Sequence, residues 1–174
     1  DLIPDKLSVT TVMQVLKNIL FESISIRDIH TILGTLLTES GKTQNPDELT
    51  ELVRPRLGHL MLQEIIELGD TLNVITLDPK LEQMLISSIT QSAKIGEVVI
   101  EPNLAEGLLD SVKKEKEDAE NQGHPAVIVV APPIRPWLAR MIKQRFSETT
   151  ILSYTEIPED QKIKVFARIG VTDE

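Results

Sequence analysis

The spacing of apolar residues changes character once along this chain, near Gly69-Asp70, and that change constrains the fold more than any other feature of the sequence. Before it, apolar side chains recur at helical intervals. After it, helical stretches alternate with short β-branched runs. Ser8 is placed to cap a helix running to about Glu22, with Val9, Val12, Leu16, Ile19 and Leu20 expected on one face. After the extended link Ile24-Ser25-Ile26, the set Ile29, Ile32, Leu33, Leu36, Leu37 predicts a second helix with one buried stripe, stopped at Gly41. Asn45-Pro46-Asp47-Glu48 combines a cap, a proline at the first helical position and a Glu three residues after the cap, so a third helix should begin there. Pro55 interrupts that pattern and predicts a bend or two shorter helices.

Beyond Gly69 the chain reads as a layered unit. Leu72, Val74, Ile75 and Leu77 make a strand, and Asp78-Pro79 starts a helix through Leu81, Leu85, Ile86 and Ile89. Another helix begins near Pro102 and ends at Gly123. Its second half, Lys113 to Asp118, is charged and should stand in solvent. Ala126 to Ala131 is a continuous apolar run of the kind covered on both faces of a sheet. A helix over Ile134 to Phe146, a buried strand over Thr150 to Tyr154 and an alternating edge strand over Ile163 to Ile169 complete the pattern. The expected architecture is an all-helical subdomain over 1–68 followed by a small α/β subdomain with a mixed sheet over 69–174.

Composition narrows function by exclusion. The 174 residues carry 18 basic and 27 acidic side chains, a net charge of −9 that repels nucleic-acid backbones and anionic lipid surfaces. Aromatic residues are 3 %, too few for base-stacking platforms, and the absence of cysteine removes disulfides, thiolate nucleophiles and Cys-based zinc sites. No apolar run approaches the roughly 20 residues of a membrane span. The chain opens at Asp1 without an initiator Met or a basic-then-apolar leader, so we expect no signal peptide and a piece of a longer protein.

The search for chemistry yields little. His30, His59 and His124 are too far apart in sequence for a helical metal pair, and no glycine-rich phosphate loop or nucleophile elbow occurs. Catalytic, metal and cofactor residues are therefore expected to be none. Arg135, after a buried strand at a helix start, could hold an anion and is the basis of a rival reading as a small phosphate-ligand enzyme; against it, Pro132, Pro133 and Pro136 remove amide donors from the same turn. The residues favour a chain that binds over one that catalyses.

Three stretches sharpen this reading. They are Leu2-Ile3-Pro4 with Val12 to Glu22 and Ile24-Ser25-Ile26-Arg27-Asp28; Val74 to Glu82; and Ile134-Arg135-Pro136-Trp137-Leu138 with Leu152-Ser153-Tyr154-Thr155-Glu156-Ile157-Pro158. In this order and spacing the chain resembles the C-terminal cytoplasmic region of the FlhA/LcrD family, the export-gate component of bacterial type III protein secretion. The Leu-Ser-Tyr-x-Glu-Ile-Pro stretch is more similar to the flagellar branch than to the virulence branch. The resemblance implies the cytoplasmic domain of a bacterial inner-membrane protein, touching the membrane only through an N-terminal half not in this chain. It implies a third, helical subdomain over 1–68 and a fourth, ring-packing subdomain over 69–174, with a nonameric ring. Export substrates, their chaperones and other export-apparatus proteins are the implied partners. One wall of a chaperone groove would then involve Val9, Val12, Arg27 and Asp28, and subunit contacts would involve Arg135, Trp137, Tyr154 and Glu156. Local physics offers plainer roles beside these: Arg27-Asp28 as a helix cap and dipole partner, and Glu156 as a surface charge.

Overall fold

A computed structural model of the chain describes residues 1–93, 98–146 and 148–170; the last residues of the second expected subdomain lie outside these. The backbone divides into two compact units, one of Asp1–Leu68 with Thr155–Asp160, the other of Gly69–Tyr154 with Gln161–Glu174.

The first unit is helical. Its elements are α1 (Val9–Phe21), α2 (Ile29–Glu39), α3 (Pro46–Val53), a 3-10 turn (Arg54–Leu57) and α4 (Gly58–Gln63). Each of the first three helices starts on a side-chain cap. Ser8 Oγ accepts from the Thr11 N–H at 3.0 Å, Asp28 Oδ1 from the Thr31 N–H at 3.2 Å, and Asn45 Oδ1 from the Asp47 N–H at 2.9 Å. Pro55 ends α3: the α-helical ladder tightens into the 3-10 turn and resumes as a separate short helix. The core is aliphatic, built from Val12, Val15, Ile19, Ile32, Leu36, Leu49, Val53 and Leu57.

The inward face of α1 departs from the sequence expectation. Val12, Val15 and Ile19 are buried, whereas Val9 and Leu20 are about half exposed. Both choices fit a helical period, and packing selects the stripe through Val15, one step around the helix.

The second unit is an α/β layer comprising β1 (Leu72–Leu77), α5 (Pro79–Ala93), α6 (Pro102–Asn121), β2 (Val127–Val130), α7 (Arg135–Lys143), β3 (Thr150–Ser153) and β4 (Ile163–Ile169). The four strands run in the order β3-β2-β1-β4, and every pair is parallel. The expected mixed sheet is thus corrected to a parallel one. The cause lies in the connection from β3 to β4. It does not turn back as a hairpin, but passes through Thr155–Asp160, which packs with the helical unit, so β4 returns in the direction of its neighbour. Those residues accordingly belong with residues 1–68, although the sequence pattern assigns them to the second half. Of the central strands, β2 is a continuous apolar run buried at every position, as a strand covered on both faces of a parallel sheet must be, and β1 is buried except at Asn73 and Thr76, which are partly exposed. Ile75, Ile128, Val130, Leu85, Leu109, Val112, Leu138 and Ile142 form the core beneath the helices. On β4 the strict alternation is lost because Val74 pairs with Val165 while Ile75 pairs with Ala167, leaving Phe166 as a bulge.

Candidate docking surface

In the helical unit the sequence singles out two helix starts. Arg27 is exposed, and its backbone N–H and Nε both donate to Ser25 Oγ, at 3.2 and 3.3 Å. Asp28 is exposed and caps α2, and hydrogen bonds from the Thr31 side chain and then its backbone N–H hold its carboxyl below the usual carboxylate range. Val9 opens α1 with its side chain half in solvent, but Val12, one turn on, faces the core and cannot form part of an exposed wall. The outer face of α1 carries what the sequence reading missed. Val9, Met13 and Leu20, at i, i+4 and i+11, make an exposed aliphatic stripe with Lys17 beside it and Phe21 at its end, each apolar member 50 % exposed or more. The signal was present as a second apolar stripe at helical spacing. Between two such stripes, sequence alone does not choose the buried one.

A small open groove of about 280 Å³ follows the face of α2 and is lined by Thr31, Gly34, Thr35, Thr38, Glu39 and Arg56. Its lining combines threonine side chains and a glycine with the charged Glu39 and Arg56, and it is smaller than a typical cofactor cavity. Thr35 and Thr38 donate their hydroxyls back to the carbonyls of Thr31 and Gly34, so they present methyl groups and no free donors.

Glu156, expected as a subunit contact or a surface charge, is neither exposed nor solvated: it is 2 % exposed. Its carboxylate takes a two-pronged hydrogen bond from Arg54, Nε to Oε2 at 2.9 Å and Nη2 to Oε1 at 3.0 Å. Arg54 Nη1 lies 3.3 Å from Glu22 Oε2 at the end of α1. Gly58 lies directly beneath the same segment, and a Cβ there would collide with the Glu156 carbonyl oxygen. The lock is built from residues 102 apart in sequence, which no local pattern reveals.

In the α/β unit the remaining candidates gather near the C-terminal ends of the strands. Arg135 is buried, with Nη1 3.5 Å from the Ile151 carbonyl oxygen of β3, so its guanidinium is turned into the protein. An anion site on that turn, and with it the phosphate-enzyme reading, lacks its presenting cation; the same burial removes Arg135 from the surface as a subunit contact. Trp137 packs partly buried against the core. Tyr154 is half exposed and donates its hydroxyl to both Glu82 oxygens, at 3.1 and 3.0 Å. Burial and then the Glu82 carboxylate push its phenol up to about 12. Glu82 also accepts from the Ala131 N–H at 2.5 Å, tying α5 to the end of β2.

The histidines do not converge. His30 and His59 are exposed, and His124 packs edge-on against Phe166 with ring centroids 5.9 Å apart. Among the described residues no group of three His, Asp or Glu side chains could hold a metal ion. No helix there is long and apolar enough to cross a membrane.

Comparison with known proteins accounts for this architecture. The FHIPEP family model matches residues 1–162. The flagellar biosynthesis protein FlhA of Buchnera aphidicola subsp. Acyrthosiphon pisum is 36 % identical over 172 residues, covering 99 % of this chain and 24 % of that protein. The chain thus spans about a quarter of the length of the curated relatives it matches. Among solved structures, the nonameric SctV-C of EPEC superposes with a TM-score of 0.81 at 27 % identity, covering 94 % of this chain and 49 % of that one. CdsV of Chlamydia pneumoniae, solved in complex with CdsO, gives 0.76 at 25 % identity over 94 % and 48 %. Fold, motif order and family model coincide, and the chain belongs to the FHIPEP family, as the three motif stretches of its sequence imply.

Proposed function

We propose that this chain is the helical third and α/β fourth subdomain of the cytosolic part of a flagellar type III export gate. It works without chemistry, as a platform that docks export substrates and their chaperones and associates with copies of itself into a ring. The observation that carries the docking role is the aliphatic stripe Val9, Met13, Leu20 on α1, left in solvent by a helix that already buries its other face. Arg27 and Asp28 at the start of α2 supply polar contacts for the same unit, and Tyr154 and Trp137 offer partly exposed aromatic surface for a neighbouring copy. The nonameric EPEC SctV-C, the nonameric EscV cytosolic domain and the CdsV–CdsO complex support self-association and a further apparatus partner.

The test is a chaperone–substrate titration by calorimetry with this region joined to the rest of its cytosolic part, with Met13→Glu and Leu20→Glu as variants. Binding should weaken at least about tenfold when two anchoring side chains are charged, and an unchanged isotherm would overturn the docking role of α1. A virulence-type gate is the second reading, favoured by the likeness to the EscV cytosolic domain of a type III secretion system, at a TM-score of 0.73 and 28 % identity. Restoration of motility in a flagellar export mutant separates the two.

A further inference from the structure

The outer edge of β4 is unlike the rest of this acidic molecule. From Gln161 to Gly170 the sequence has three cations, Lys162, Lys164 and Arg168, and no carboxylate, within a chain of net charge −9. All three are exposed, and among the described residues none is in an ion pair. β4 is an edge strand with β1 on its inner side. The Lys162 carbonyl accepts from the Leu72 N–H at 2.8 Å and so faces β1. By strand alternation Ile163 and Val165 then turn their N–H and C=O groups outward. Among the described residues no bond beyond the ladder engages them. Their side chains are 47 % and 49 % exposed. Gln161 fixes the start of this stretch by donating to the Asp70 carbonyl at 2.8 Å, and the Phe166 bulge ends it.

We propose that the Lys162–Val165 edge is a strand-addition site for an extended segment of a partner protein that alternates carboxylate with aliphatic side chains. Edge lysines and bulges ordinarily keep an edge from pairing with its own kind, and a second copy of β4 would bring like charges together. The same cations favour a strand of opposite sign. Carboxylates of the added strand meet Lys162 and Lys164, its aliphatic side chains cover Ile163 and Val165, and its backbone completes the ladder. This site is separate from α1 and stands whether or not the docking role of that helix holds.

The experiment titrates the chain with a short capped peptide alternating Glu with Val while amide hydrogen exchange is followed by NMR. Protection should appear at Ile163 and Val165 and fade with added salt. The Lys162→Glu, Lys164→Glu double variant should bind roughly five- to tenfold more weakly at low ionic strength. Methylating the backbone nitrogens on the pairing side of the peptide should abolish binding. No protection at Ile163 and Val165, equal binding of a Lys–Val peptide, or indifference to N-methylation would each overturn the proposal.

Discussion

The two units of this protein are closed by opposite means. The α/β unit is held by a parallel ladder and a dense layer of Ile, Leu and Val, with Ile128 and Val130 fully buried at its centre. The helical unit also buries aliphatic side chains, but it is completed by a segment from more than a hundred residues away, fastened by the Arg54 fork to Glu156. Apolar burial is tolerant of exact partner identity. A buried ion pair is not, because losing one member strands the other in a poorly solvated site. The helical unit should therefore respond sharply to a few particular residues, and the α/β unit in a graded way to lost volume.

The largest effect is expected from Arg54→Met, which leaves Glu156 buried without its fork and should cost about 3–5 kcal/mol in urea unfolding. The double replacement Arg54→Met, Glu156→Met should recover much of that loss. If single and double variants are equally destabilised, the two residues are not coupled and the contrast fails. In the other unit, Ile128→Ala should cost about 2–5 kcal/mol through lost burial and the remaining cavity, read from the fluorescence of the single tryptophan, Trp137. Gly58→Ala should cost about 1–3 kcal/mol by pushing on the Glu156 carbonyl, and an unperturbed midpoint would mean the Thr155–Asp160 segment can shift outward freely.

Tyr154→Phe should be milder, about 0.5–1.5 kcal/mol, since Glu82 keeps the Ala131 amide. The single tyrosine makes its titration readable by phenolate absorbance. With its pKa raised from 10 to about 12, the neutral phenol stabilises the fold fully below pH 10, and that contribution is lost between pH 10 and about 12. Asp28→Ala is expected to have the smallest effect, a slight fraying of α2 seen in amide exchange. The Asp28 carboxyl is held below its usual range in the fold, so its contribution is present above the ordinary value of 3.8 and falls away as pH drops through the folded one.

What could be read from sequence was what local chemistry determines. The Ser8, Asp28 and Asn45 caps, the break at Pro55 and the buried runs of β2 and β3 each follow from residues within a few positions of one another. The stripe on α1 was misassigned because the helix has two apolar faces, and only tertiary packing chooses between them. The direction of β4 and the burial of Glu156 were out of reach for one shared reason. Both depend on where the chain travels between Tyr154 and Gln161, and nothing in that short polar stretch announces a buried destination. Of the candidate surface, the exposed positions Val9, Arg27, Asp28 and Tyr154 were nameable; Met13, Phe21 and the cationic edge of β4 were not singled out.

The Thr155–Asp160 strap also bears on how these sequences can be recombined. A chimera joined at residue 68 would take its guanidinium from one parent and the answering carboxylate from the other, together with the glycine on one side and the carbonyl it accommodates on the other. Exchange between relatives at that junction succeeds only when positions 54, 58 and 156 are inherited as a set, so the most natural place to cut the polypeptide is not a place where its halves become independent.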